Sequence, residues 1–117
     1  MHEHPERCAR AIYWRALPGQ MQAYTDFLRT EVEPIDEEAR RRGALRHFET
    51  LIDARADAPW THMRLFVFDS PAQRDGILAV FAQIMAEREP DAALRQARSA
   101  RAASLREKVG EADHDLL

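Results

Sequence analysis

The chain has 117 residues, 45% of them hydrophobic and 32% charged, with a formal net charge of −3. That length fits one domain able to bury roughly two thirds of its unfolded surface, and the acidic balance argues against a nucleic-acid partner, which usually needs a basic face. No apolar run approaches the ~20 residues of a membrane span, and no signal-peptide core is present. The single cysteine, Cys8, has no internal disulfide partner, so a reducing cytoplasm is expected.

Residues 1–8 read as a flexible polar tail ahead of a single domain at 9–117, with the first strand spanning roughly Cys8 to Leu17. Pro18-Gly19 turns the chain into a helix whose apolar stripe is Met21, Tyr24, Leu28, Val32, Ile35 and Ala39. Pro34 lies inside that stripe and cannot donate to the carbonyl of Thr30, which predicts a kink or break. Beyond it, Asp36, Glu37 and Glu38 stand four residues before Arg40, Arg41 and Arg42, the acid-first order of a solvated helix face. Gly43 is placed to end the helix.

A second strand is expected over Leu45 to Asp53, a loop over residues 54–59, and a third strand over Trp60 to Phe68. Ser70 and Gln73 form a capping box with Pro71 at the first helical position. The helix that follows carries Ile77, Leu78, Phe81, Ile84 and Met85 on one side and breaks at Pro90-Asp91. A third, Arg-rich helix then uses Leu94, Ala97 and Leu105. The strand–proline–glutamine–helix design thus occurs twice, with Pro18 matching Pro71 and Gln20 matching Gln73. Two such units with a strand between them predict an α+β, ferredoxin-like βαββαβ sandwich, an antiparallel sheet with helices on one face. Its fourth strand is the weak point. Residues 108–117 make a poor strand, so either that strand is short and irregular or another chain completes the edge.

Strand alternation sorts the sheet into two faces. One set, Ile12, Trp14, Ala16, Phe48, Thr50, Ile52, Met63, Leu65 and Val67, is nearly all apolar and is expected under the helices. The other, Tyr13, Arg15, Leu17, Leu45, His47, Glu49, Leu51, Trp60, His62, Arg64, Phe66 and Phe68, mixes large hydrophobes with ionisable groups. Each large side chain left in water forfeits ~1.5–3 kcal/mol, so a second copy is expected to cover this face in a two-fold homodimer.

The strand leading into Leu17-Pro18-Gly19-Gln20, the helix Tyr24-Thr25-Asp26-Phe27-Leu28, the segment Glu31-Val32-Glu33-Pro34-Ile35 and the stretch Trp60 to Gly76 resemble the dimeric α/β-barrel superfamily. Its members include antibiotic-biosynthesis monooxygenase-like and NIPSNAP-like proteins. Pro34-Ile35, Gly43 and Pro59-Trp60 are most similar to a functionally uncharacterised bacterial group. These are turn and packing signals, so the resemblance implies a fold and no particular activity. The haem-degrading branch relies on an asparagine, which this sequence lacks altogether. Trp14, Tyr24 and Arg15 supply the residue types of the cofactor-independent quinone-forming oxygenases without matching them position by position.

The candidate site is the mixed face: Tyr13, Arg15, His47, Glu49, Trp60, His62 and Arg64 as ligand-binding residues. Among them, His47 or His62 are candidate bases, and Arg15 or Arg64 candidate oxyanion stabilisers. The competing reading is a set of polar groups satisfying one another in a dimer interface. His2, Glu3, His4, Glu6 and Cys8 are metal-ligand types in a tail too loose to fix them. Arg95, Arg98 and Arg101 read as an exposed charged helix face. The sequence has no Gly-rich phosphate loop, nucleophile elbow or paired-cysteine spacing, and neither a cofactor nor a metal is expected. Three functions follow: a dimer binding a small, partly apolar ligand; a cofactor-independent monooxygenase-like or isomerase-like enzyme; or a structural dimer with a filled interior.

Overall fold

β1 (Cys8–Ala16), β2 (His47–Ile52), β3 (His62–Phe68) and β4 (Arg106–Asp115) form one antiparallel sheet in the order β2-β3-β1-β4. The computed structural model describes residues 6–117. α1 (Met21–Phe27), α2 (Glu33–Arg41), α3 (Pro71–Arg88) and α4 (Ala92–Ala103) complete an α+β architecture consistent with a ferredoxin-like fold. Among the described residues no helix is long and apolar enough to cross a membrane.

The chain supplies its own fourth strand, ten residues long and paired with β1 along its length, with an irregularity at Tyr13/Trp14. Its charges, Glu107, Lys108, Glu111, Asp113 and Asp115, suit an edge strand, where side chains meet water and deter further pairing. Arg10 fastens it, with Nε donating to Asp113 Oδ1 at 2.9 Å.

Leu17-Pro18-Gly19-Gln20 is a tight turn: Gly19 takes φ +77° and Gln20 N–H donates to the Leu17 carbonyl at 2.8 Å. Pro71 instead opens α3 directly, where Ser70 Oγ accepts from Gln73 N–H at 3.3 Å. The Gln73 side chain departs from the usual reciprocal box. Its Oε1 accepts from Asp69 N–H at 2.6 Å and its Nε2 donates to the Gly43 carbonyl at 2.8 Å, tying α3 to the end of α2. Gly43 sits there at φ +78°.

Pro34 bends its helix without breaking it. Between α1 and α2 the chain makes a π-turn over Leu28–Val32, in which Glu33 N–H reaches the Leu28 carbonyl five residues back. The additional residue turns everything after it by about 100° around the helix axis. Ile35, Asp36 and Ala39 become the buried residues of α2.

The sheet's helix side carries both apolar cores. One gathers Cys8, Ile35, Ala39, Leu45, Phe66, Phe68, Ile77 and Ile84; the other gathers Ala16, Tyr24, Phe27, Leu28 and Ala102. Ile12, Trp14 and Phe48 pack against them, as alternation predicts. β3 is the main exception, and Leu45, expected on the opposite face, also joins the core. His62, Arg64, Phe66 and Phe68 are buried under the helices, while Met63, Leu65 and Val67 face the other way. Register agrees, since Arg64 lies opposite Ile12 on β1 and Thr50 on β2. The two phenylalanines favour this orientation, and Thr25 and Asp36 receive the two polar side chains that turn inward with them.

Replacing Phe68, fully buried, with alanine is expected to destabilise the fold by ~3–5 kcal/mol. Leu78→Ala, at a residue 68% exposed, should stay within ~0.5 kcal/mol in the same urea titration.

Candidate functional site

The turned β3 strand delivers a guanidinium into the protein interior. Arg64 is 3% exposed and Asp36 on α2 is 2% exposed, and Arg64 Nη2 donates to Asp36 Oδ2. Arg64 Nη1 donates to Thr50 Oγ1 at 3.1 Å, and the Thr50 hydroxyl in turn donates to Glu33 Oε2 at 3.0 Å. The guanidinium also lies 5.0 Å from the centroid of the Phe66 ring. Burial drives the Asp36 carboxyl from its ordinary value of 3.8 up to about 7, against the opposing pull of Arg64.

This pair forms the polar floor of a cleft of about 540 Å³. The sheet contributes Ile12, Trp14 and Phe66, and the bent helix contributes Phe27, Val32 and Ile35. Leu78, Phe81 and Met85 of α3 and Ser99, Ala102 and Ala103 of α4 close the remaining sides. α4 is held there by Arg98, which donates to the Glu31 carbonyl of the π-turn and pairs with the Glu31 carboxylate at 3.3 Å. Arg101 joins the same carboxylate at 3.1 Å. At the far wall, Arg106 stacks on Trp14 with 3.7 Å from Cζ to the ring centroid.

His62 lies beside this cleft in a closed chain of hydrogen bonds. Thr25 Oγ1 donates to the Met21 carbonyl at 2.8 Å, so its proton is committed, and His62 Nε2–H must donate to it at 2.9 Å. Nδ1 is then the acceptor from Thr61 Oγ1 at 2.8 Å, and Thr61 accepts from Ala16 N–H at 2.7 Å. Burial, with the nearby Arg64 charge, pulls the imidazole down to about 4. A neutral ring with both nitrogens occupied orients α1 on the sheet and offers a ligand no free nitrogen.

The other sequence-predicted residues stand on or beside the opposite face. His47 and Glu49 pair with each other at 3.0 Å, exposed on β2. Arg15 donates to the Pro59 carbonyl and reaches Glu107 at 3.4 Å, while Tyr13 packs on Trp60 with ring centroids 5.8 Å apart. The expected single cluster is therefore divided: His62 and Arg64 lie under the helices, while Tyr13 with Trp60, Arg15, and His47 with Glu49 stand apart from them in separate contacts. Cys8 points into the core, where burial raises its thiol pKa. His2, Glu3 and His4 lie outside the described residues.

Asp36 was expected among the solvated acids of α2. Glu37 and Glu38 do meet Arg40, Arg41 and Arg42 on the surface, but the π-turn rotates Asp36 inward. Its place beside Ile35 on the apolar stripe was the available signal. Arg106, half-buried at the start of a strand expected only weakly and from residue 108 on, gave none.

No family model and no curated protein matches the chain. Solved structures similar to it include two from bacteria. The crystal structure of HapK from Hahella chejuensis has a TM-score of 0.63 at 17% identity, covering 94% of this chain and 92% of that one. NE2512, a protein of unknown function from Nitrosomonas europaea, has a TM-score of 0.62 at 22% identity, covering 98% and 93%. At these identities the likeness is one of fold.

Because the folded-state value of Asp36 lies above its unfolded value, its contribution to stability is fully present below about pH 4 and is lost as pH rises through about 7. The stability of the wild type minus that of Asp36→Asn, from urea unfolding, should accordingly fall between those pH values. A difference that stays flat across the window would instead show a carboxylate held ionised by Arg64 throughout.

Proposed function

We propose that the protein is a two-fold homodimer of the dimeric α/β-barrel kind, each subunit holding a small, partly apolar ligand in the cleft between sheet and helices. The cleft carries this reading: a mostly apolar space whose floor is a buried Asp36–Arg64 pair, with few polar groups converging on it. Such a lining favours a ligand with an apolar body and one or two polar atoms.

Pairing of two sheets is supported by the face turned away from the helices. Met63, Leu65 and Val67 run along its central strand and belong to neither core, and Leu51 beside them is 41% exposed. Tyr13 and the small residues Ala9 and Ala11 continue this face on β1, with His47 and Glu49 toward the β2 edge. β3 thus carries large apolar side chains on both of its faces, the pattern of a strand covered on both sides. A partner sheet would supply the missing contact.

A second reading, a cofactor-independent enzyme that moves a proton, is favoured by Asp36 itself. A carboxyl in an apolar cleft that titrates near 7 suits general acid–base work. Asp36 takes the role first sought in a histidine, since His62 is fully hydrogen-bonded and His47 is on the opposite face.

Native mass spectrometry of freshly purified protein should show a dimer with a small molecule retained. Leu65→Glu should give monomer, and Ala103→Trp, which fills the cleft, should keep the dimer and lose the small molecule. A wild-type monomer at micromolar concentration would contradict the pairing, and a ligand retained by Ala103→Trp would contradict the cleft.

A further inference from the structure

Three arginines line the cleft, and their partners differ. Arg64 is neutralised by Asp36, and Arg98 by Glu31. Arg106 has no carboxylate partner among the described residues. Its one side-chain hydrogen bond is from Nη1 to the Tyr24 hydroxyl at 3.1 Å. The rest of its guanidinium, which has five N–H donors in all, is unclaimed by the described residues.

The position of this cation is fixed. Arg106 is half-buried, its guanidinium sits face-on to Trp14 at 3.7 Å, and the Tyr24 ring is 5.5 Å away. The backbone beneath is anchored where Leu17 N–H donates to the Leu105 carbonyl at 2.9 Å. Stacking holds the planar fork without using its edge, and an edge held this way suits two parallel bonds to an oxyanion. The acid in the same cleft does not oppose such a ligand, because Asp36 is already met by Arg64.

We propose that Arg106, stacked on Trp14, is an anion subsite, and that the ligand of this cleft is a small apolar molecule bearing one carboxylate or comparable oxyanion. This rests on the cleft being the binding site and names the class of molecule it takes. The apolar body lies against Phe27, Phe66, Phe81 and Leu78, and the anionic group meets the Arg106 fork.

Two fluorescent probes that differ only in a sulfonate test it: 8-anilinonaphthalene-1-sulfonate and its neutral counterpart N-phenyl-1-naphthylamine. The wild type should bind the sulfonate about tenfold or more tightly than the neutral probe. Arg106→Gln should remove that preference while leaving the neutral probe's affinity unchanged, and Arg106→Lys, which keeps the charge but not the fork, should fall between. If Arg106→Gln does not fold by near-ultraviolet circular dichroism, the two probes on wild type and Arg106→Lys decide the matter. Equal affinities in the wild type, or a preference that survives Arg106→Gln, would overturn the subsite and leave the cleft standing. Ala103→Trp should abolish binding of both probes; binding that ignores it, or no binding of either probe to the wild type, would overturn the cleft as well.

Discussion

The contact between Arg64 and Asp36 joins the central strand of the sheet to the helix above it, and the cleft is built around that joint. Taking two opposite charges out of water costs several kcal/mol per ion, and attraction compensates only when the remaining donors and acceptors are also met. Here Thr50 takes a second guanidinium bond, Glu33 accepts from the Thr50 hydroxyl, and the Phe66 ring lies against the cation. The same burial leaves Asp36 with a pKa near 7. A polar floor in an otherwise apolar cleft is therefore both a structural tie and an acid whose proton affinity burial has raised.

Pro34 prepares this arrangement from a distance. Its missing N–H is absorbed by a π-turn, and the resulting rotation brings Asp36 to the sheet. The turn also presents the Glu31 carbonyl to Arg98, which with Arg101 fastens α4 over the opening. One proline thus shapes two walls of the cleft: the acid on its floor and the attachment of the helix on its side. The arginines of α4 serve as fasteners to a neighbouring helix, where the sequence pattern alone suggests a solvated face.

Much of the architecture was legible because its signals are local. Alternation in β1 and β2, the Pro18-Gly19 turn, the Ser70 cap and the Gly43 terminus each depend on a few adjacent residues, and each element forms close to where those signals put it. β3 was readable as a strand but not as an oriented one. Both of its alternating sets carry large apolar side chains, and which set turns inward is settled by Phe66, Phe68 and two long-range partners, Thr25 and Asp36. β4 was expected only as a short, irregular strand or one lent by another chain, because an edge strand with water on its sides shows no apolar alternation, and its pairing comes from β1. The candidate site suffered most, since Arg64 and Asp36 are 28 residues apart and nothing local links them.

The central claim is that Arg64 and Asp36 act as one buried unit, and a double-mutant cycle measures it directly. Asp36→Leu and Arg64→Met should each destabilise the fold by ~3–5 kcal/mol, because each strands a buried polar partner. The double variant should recover most of that loss, giving a large coupling energy. Additive losses in the double variant would mean that the two side chains do not depend on each other, and the cleft would have no polar floor of the kind described.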